Sequence, residues 1–284
     1  MATPEGVQRG IVTYLVLTFA LSSVFYFFII SSGMLRAAAG LYVLGLMWCP
    51  GIAALLTRLL FQRNLGGCGW GWGKTRYQLL SYALPLGYAG VVYLPVWSLG
   101  LGDLNLEITS RVAAQVGFGP LSQGLTVILF LLIAGTLGMV NSCMSALGEE
   151  IGWRGFLVPE LAKVTTFSKT ALISGAIWSI WHYPVILFAD YRAATPTWYA
   201  LICFTVMVLG ISFPFAWLRL KSGSLWTGMF LHASHNLFIQ GVFDQLTRDT
   251  GVTKWIIGEF GAGLALVAVL VGIAFWKKGM KLEL

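Results

Sequence analysis

Hydrophobic and polar positions alternate along this chain on the scale of whole membrane spans. Apolar runs of about 20 residues follow one another from Ile11 onward, and short loops between them hold most of the charges. A run of that length is what an α-helix needs to cross the hydrocarbon core of a bilayer. We therefore predict an all-α, polytopic membrane protein with about eight transmembrane helices and a buried active site. The predicted spans are residues 11–30, 41–61, 79–99, 125–161, 170–189, 198–218, 224–240 and 255–276.

Two prolines and one polar stretch modify this pattern. Pro50 predicts a kink in the second span, and Pro159 predicts an interruption near the end of the fourth, because proline removes a helix hydrogen bond. The stretch 100–123 is more polar than its surroundings and predicts a short surface helix. Neither a repeat nor a low-complexity linker divides the chain, so we expect residues 1–284 to form a single integral membrane domain.

Composition supports the membrane assignment. Hydrophobic residues make up 57% of the chain, charged residues only 10%, and the mean hydropathy is +0.80, which is too apolar for a soluble domain. The net charge of +7 comes from loops between apolar runs, so no nucleic-acid partner is expected. The cysteines lack the paired spacing of metal ligands and are predicted to be free thiols: Cys49, Cys68, Cys143 and Cys203.

The loop charges predict an orientation. With eight spans, 13 of the 18 Lys and Arg residues fall on the side that holds both termini, and 5 fall on the other. The positive-inside rule makes the richer side cytoplasmic. We therefore expect a protein of the cell (plasma) membrane whose N- and C-termini are cytoplasmic.

Two adjacent carboxylates stand out in the fourth apolar run. An ionised side chain at the bilayer centre costs roughly 2.5–3.5 kcal/mol, so Glu149 and Glu150 need a compensating reason. Glu150 and Arg154 are four residues apart on a helix and share a face, where they can pair. That ion pair could have a purely structural role. Glu149 lacks such a partner and is free to face a site.

Later spans supply further polar residues at a similar depth. His182 and His232 lie, like Glu149, roughly 16–21 Å along a helix from the nearest cytoplasmic flank. Asn236 follows His232 by four residues on the same face. We expect these residues to meet in one cavity that substrate enters from the cytoplasm or the inner leaflet. Structural or solvated roles suffice for the remaining polar residues near span ends: Asp190, His235, Asp244 and Glu259.

These residue types suit hydrolysis of a peptide bond by water. A glutamate can act as general base, a histidine can relay its proton, and a histidine with an asparagine can stabilise an oxyanion. A zinc ion held by Glu149, His182 and His232 is an open alternative, since three protein ligands and a water make a catalytic zinc site. A proton-coupled transporter and a catalytically silent immunity or scaffold protein are the rival classes.

Three ordered motifs resemble one known family. Glu149-Glu150-Ile151-Gly152-Trp153-Arg154, Trp178-Ser179-Ile180-Trp181-His182 and His232-Ala233-Ser234-His235-Asn236 are similar to the motifs of the type II CAAX prenyl proteases, also called the CPBP or ABI family of intramembrane proteases. Trp178 stands where that family often has Phe. The resemblance implies an eight-helix fold with a family-like catalytic core at about residues 121–240.

The resemblance also implies an activity and roles for the motif residues. The activity would be that of an intramembrane endopeptidase acting near the C-terminus or leader of a lipid-anchored or membrane-associated peptide or protein. Glu149 and His182 would activate water, His232 and Asn236 would hold the oxyanion, and Glu150 with Arg154 would position the site. The expected partners are the lipid bilayer and a peptide or lipidated substrate, and the metal requirement is left open.

Overall fold

Helices account for nearly all of the chain in a computed structural model, which describes residues 3–282. The terminal residues Met1, Ala2, Glu283 and Leu284, and with them the extreme ends of the predicted cytoplasmic termini, lie outside the described residues. A two-stranded antiparallel ladder pairs Asp103–Leu104 with Thr247–Arg248. The α-helices are α1 (Pro4–Ser32), α2 (Leu41–Phe61), α3 (Thr75–Ser98), α4 (Glu107–Gln115), α5 (Gln123–Ile133), α6 (Met139–Gly152), α7 (Val158–Ala162), α8 (Phe167–Phe188), α9 (Thr197–Ser222), α10 (Trp226–Asn236) and α11 (Ala262–Gly279).

Seven helical segments of the described chain are long and apolar enough to cross a membrane. They correspond to seven of the eight predicted spans. The remaining one, predicted at 224–240, is α10 continued by a π-helical stretch, Leu237–Phe243. It is a helix of the bundle, but His232, His235 and Asn236 make it more polar than the others. The polytopic all-α architecture is confirmed, and the predicted surface helix appears as α4.

The outer faces of the long helices carry bare apolar side chains. Val16, Leu60, Leu137 and Leu266 are each more than half exposed. In water such surfaces would be a large penalty, whereas lipid tails solvate them. The exposed faces therefore belong against a bilayer.

The fourth predicted span is one helical segment, Gln123–Ala162, with two π-helical stretches. They cover Ala134–Gly138 and Trp153–Leu157, the second of which contains Arg154. Pro159 lies in the first turn of α7 directly after the second stretch and does not end the segment. A π stretch inserts a residue into the helix and often accompanies a functional site.

Small residues bring α6 against α2 at close range. A Cβ added to Gly148 or Gly152 would lie 2.7 Å or less from the α2 backbone and side chains around Trp48 and Pro50. A Cβ on Gly51 would lie 2.5 Å from the Gly148 carbonyl oxygen. α2 runs through Pro50 without a break. Because the glycines of α6 are pressed against α2, the two carboxylates between them are directed to other neighbours.

Candidate active site

One internal cavity collects the polar residues of all three motifs. Glu149 on α6, His182 on α8, and His232 and Asn236 on α10 line it, and its volume is about 120 Å³. All three histidines of the chain face this space, since His235 lines it too. The predicted convergence of these residues on one cavity is confirmed.

Glu149 is held by two indole groups rather than by a cation. It is 1% exposed, and its Oε2 accepts hydrogen bonds from Trp153 Nε1 at 3.1 Å and Trp178 Nε1 at 2.8 Å. Among residues 3–282, no protein group donates a hydrogen bond to its other oxygen, Oε1. Two donors on one oxygen stabilise the carboxylate form and fix its orientation, while a lone pair remains for a ligand in the cavity.

Glu150 lies at the centre of a buried charge cluster. Its Oε1 accepts from Arg154 Nη1 at 2.8 Å and from His232 Nδ1 at 2.9 Å. The guanidinium also stacks on aromatic rings, 4.4 Å from the centre of Trp178 and 3.7 Å from that of Phe215. The predicted Glu150–Arg154 ion pair is therefore present and buried.

A glycine allows α10 to approach this cluster. A Cβ at Gly228 would lie 2.6 Å from Glu150 Oε2 and 3.1 Å from Arg154 Cγ. Any larger residue there would push the helix, and with it His232, away from the carboxylate. The contact between the first and third motifs thus depends on a residue one turn before His232.

The hydrogen bonds of the two motif histidines assign their tautomers. His182 Nδ1 lies 2.9 Å from the Trp178 carbonyl oxygen, and His232 Nδ1 faces the Glu150 carboxylate. Carbonyl and carboxylate oxygens only accept, so both Nδ1 atoms carry a proton. Each Nε2 atom then remains for the cavity. Protonating His232 at Nε2 as well would balance the charges of Glu149, Glu150 and Arg154.

Asn236 completes the set of motif residues on the cavity wall. It lies one turn after His232 and is partly exposed to the cavity. It also lines a lateral groove beside the cavity, between α2, the π stretch of residues 134–138 and the π stretch of residues 237–243. Leu35, Met47 and Gln240 line both spaces, so the cavity and the groove adjoin.

The zinc alternative does not gain support from this geometry. Across residues 3–282, no group of three or more His, Cys, Asp or Glu side chains is placed to hold a metal ion. Glu149 Oε1 and the Nε2 atoms of His182 and His232 have no protein hydrogen-bond partner in the described chain, but they are not placed together as one ligand group. We derive no step through a metal.

The cavity lies toward the end of the bundle opposite both termini. Leu35, Tyr191 and Glu259, which line it, come from the loops that follow α1, follow α8 and precede α11. Those loops belong to the side with few basic residues, and no Lys or Arg lines the cavity in the described chain. The expected opening toward the termini stays a prediction, and the residues after Glu149 that lead to that side form the buried segment 151–158.

A second polar cluster adjoins the motif residues, and its members were predicted to be structural or solvated. Glu259 is only 7% exposed and accepts hydrogen bonds from His235, Tyr191 and Gln240. Burial raises the pKa of its carboxyl, but the bonds from His235 and Tyr191 outweigh burial and leave the pKa below its ordinary value. Glu259 is the one acidic residue within the predicted span 255–276, a signal that could have marked it.

Nearby Asp244 behaves differently. It is the residue after the π stretch that continues α10, and the Tyr93 hydroxyl donates to it. Burial raises the pKa of its carboxyl to about 6. Asp244 lines an outer pocket together with Tyr191 and Glu259, but it does not line the cavity that holds the motif residues.

Comparison with known proteins agrees with the motifs. Residues 120–238 match the family described as type II CAAX prenyl endopeptidase, Rce1-like, and this range contains all three motifs. A relative named CAAX prenyl protease 2, from Methanococcus maripaludis, is 28% identical over 110 residues. That match covers 37% of this chain and 36% of the relative, so the chain spans about a third of that protein's length. Over residues 120–238, this chain is therefore similar to the type II CAAX prenyl endopeptidases, the family that its motifs resemble.

Proposed function

We propose that this protein is an intramembrane endopeptidase that hydrolyses a peptide bond with a water activated by Glu149 and His182. The observation that carries the proposal is the state of Glu149. It is a buried carboxylate without a cationic partner, fixed by two indoles, and it faces a cavity that also presents an unoccupied His182 Nε2. A group of this kind is costly in a membrane and suits a general base.

The reaction can be written with these groups. Glu149 takes a proton from a water whose second hydrogen is bonded to His182 Nε2, and the water oxygen attacks the carbonyl carbon. A tetrahedral intermediate forms. The proton passes from Glu149 to the amide nitrogen, the carbon–nitrogen bond breaks, and an amine and a carboxylic acid leave. No covalent enzyme intermediate and no serine or cysteine is required.

Two groups on α10 would stabilise the oxyanion. His232, whose Nδ1–H donates to Glu150, can donate from Nε2 when that nitrogen is also protonated, and the Asn236 amide can donate beside it. Such donors matter most in a site that excludes water. Glu150 and Arg154 would not touch the substrate. They hold His232 at a fixed place between α6 and α10.

The lateral groove supports a membrane-associated substrate. Its walls include Leu41, Leu44 and Leu237, and it joins the cavity at Asn236 and Gln240. An extended peptide near the C-terminus or leader of a lipid-anchored substrate could reach the cavity while its apolar anchor stays in the groove or in lipid. A soluble peptide would gain nothing from a groove open to lipid tails.

The test is direct hydrolysis. The protein and its Glu149→Gln variant would be reconstituted in vesicles with C-terminally lipidated peptides and with leader-bearing peptides, and the products read by mass spectrometry. We expect a single new pair of fragments with the parent and none with the variant. Peptide binding without cleavage by the parent would instead identify a silent scaffold, and proton flux across the vesicle would identify a transporter.

A further inference from the structure

Glu259 lies outside the three motifs and beyond residue 238, yet it lines the catalytic cavity. It belongs to the loop between the turn Thr253–Trp255 and α11. The proposed reaction gives it no role. A buried acid without a Lys or Arg partner is costly, so its presence calls for a role.

The carboxylate of Glu259 accepts hydrogen bonds on both oxygens from donors in two separate parts of the chain. Its Oε1 lies 3.1 Å from His235 Nε2, and its Oε2 accepts from Tyr191 Oη at 2.6 Å and from Gln240 Nε2 at 3.0 Å. His235 and Gln240 belong to the helix of residues 226–243, and Tyr191 to the loop after α8. Glu259 therefore ties this loop to that helix.

Each of these donors adjoins a residue of the proposed reaction. The Tyr191 ring lies against the His182 ring, with centroids 6.0 Å apart. His235 immediately precedes Asn236, and its Nδ1 is bonded to the Tyr88 hydroxyl of α3. Gln240 follows Asn236 by one turn. A shift of the Glu259 carboxylate would thus be felt at both His182 and Asn236.

We propose that Glu259 is a positioning residue of the active site, which holds His182 through Tyr191 and holds Asn236 through His235 and Gln240. This inference rests on the proposed peptidase function. Glu259 acts on the geometry of the transition state rather than on substrate binding, because its own oxygens are already taken by protein donors. Displacements of about 1 Å can cost on the order of 100-fold in rate.

The isosteric change Glu259→Gln tests this directly. Its NH₂ group would replace one acceptor oxygen, so either a hydrogen bond is lost or His235 must change its tautomer to accept at Nε2. We expect kcat to fall at least tenfold while KM stays within about twofold. Glu259→Asp, which keeps the charge and both acceptors on a shorter stem, should recover part of kcat. Tyr191→Phe removes a single hydroxyl and should lower kcat by about threefold or more.

A double variant separates positioning from general damage. If Glu259 acts through Tyr191, the pair Glu259→Gln with Tyr191→Phe should be no slower than Glu259→Gln alone, whereas independent losses multiply. Asp244→Asn is the matched control, because Asp244 is a partly buried acid of the same region that contacts Tyr93 and does not line the cavity. Its kcat should equal that of the parent.

The outcomes are distinct. A kcat of Glu259→Gln within twofold of the parent, or multiplying effects in the double variant, would overturn the positioning role while the function stands, provided that Glu149→Gln is inactive. A parent that cleaves no substrate would remove the proposed function and this inference with it. If Glu259→Gln fails to fold, the Tyr191→Phe variant tests the positioning role by itself. A Tyr191→Phe variant with the kcat of the parent would then contradict that role.

Discussion

The Nδ1 atom of His232 lies 2.9 Å from the Oε1 atom of Glu150, and this contact joins the first motif to the third across two helices. The same oxygen accepts from Arg154 at 2.8 Å. One carboxylate oxygen therefore supports both a local ion pair and a contact 82 residues away along the chain. Changes at Glu150 or Arg154 should reach His232 even though neither residue lines the cavity.

Replacing Glu149 by Gln should abolish hydrolysis without unfolding the protein. The amide cannot take a proton from water, and the loss of a general base costs at least ~100-fold. Turnover in reconstituted vesicles measures the effect. Glu160→Gln is a suitable control, since Glu160 is also buried but contacts Gln62 and Lys163 away from the cavity. Near-parental turnover of Glu149→Gln would show that another group is the base.

Removing Arg154 should lower stability as well as activity. Arg154→Ala leaves the Glu150 carboxylate buried without its guanidinium partner, which costs roughly 3–5 kcal/mol. Replacing Glu150 and Arg154 together by Leu and Met should recover part of the stability but not the activity, because His232 then loses its partner. Thermal unfolding in detergent checks this. Arg248→Ala, which breaks an exposed pair with Glu107, should melt like the parent.

Asp244 should make stability depend on pH. Its folded pKa, about 6, is above its ordinary value of 3.8, so the folded state binds the proton more tightly than the unfolded state. The contribution is fully present below about pH 4 and is lost as pH rises through 6, by at most about 3 kcal/mol. Unfolding of Asp244→Asn between pH 4 and 7 should show a flatter profile than the parent. Identical profiles would contradict the assignment.

The cavity should disfavour a free terminal carboxylate. Glu149 and Glu259 line it, Arg154 is withdrawn behind Trp178 and Phe215, and no Lys or Arg of the described chain lines it. A lipidated peptide with an amidated C-terminus should therefore be cleaved with a kcat/KM at least about fivefold higher than its free-acid twin when the terminus enters the cavity. Preference for the free acid would require a cationic subsite, for which Arg36 on the groove is the nearest candidate.

The groove should be reached from the side opposite the termini. Ser145 lines the groove and is partly exposed. A cysteine there, in a cysteine-free background, should react with a membrane-impermeant thiol reagent from the same side as a cysteine at Arg192, and not from the side of one at Lys163. If the cysteine at residue 145 instead reacts from the same side as the one at residue 163, the entrance lies on the side of the termini, as the loop charges predict. The same experiment tests the predicted cytoplasmic termini.

Sequence alone determined the features that depend on local spacing. The length of the apolar runs predicts a helical membrane protein, since a helix is the structure that satisfies its own backbone in lipid. The pair Glu150–Arg154 and the shared face of His232 and Asn236 follow from a four-residue interval on a helix. Ionisable groups are costly inside apolar runs, and this cost marked Glu149 and His182 as candidates for the site.

Tertiary structure decided which of these groups touch. Glu150, and not Glu149, meets His232 because Gly228 lets α10 approach that face of α6, and because Gly148 and Gly152 are pressed on α2. Glu259 reaches the cavity from a loop far along the chain. These are contacts between distant segments, set by how side chains of different helices pack, and no periodicity within one segment encodes them.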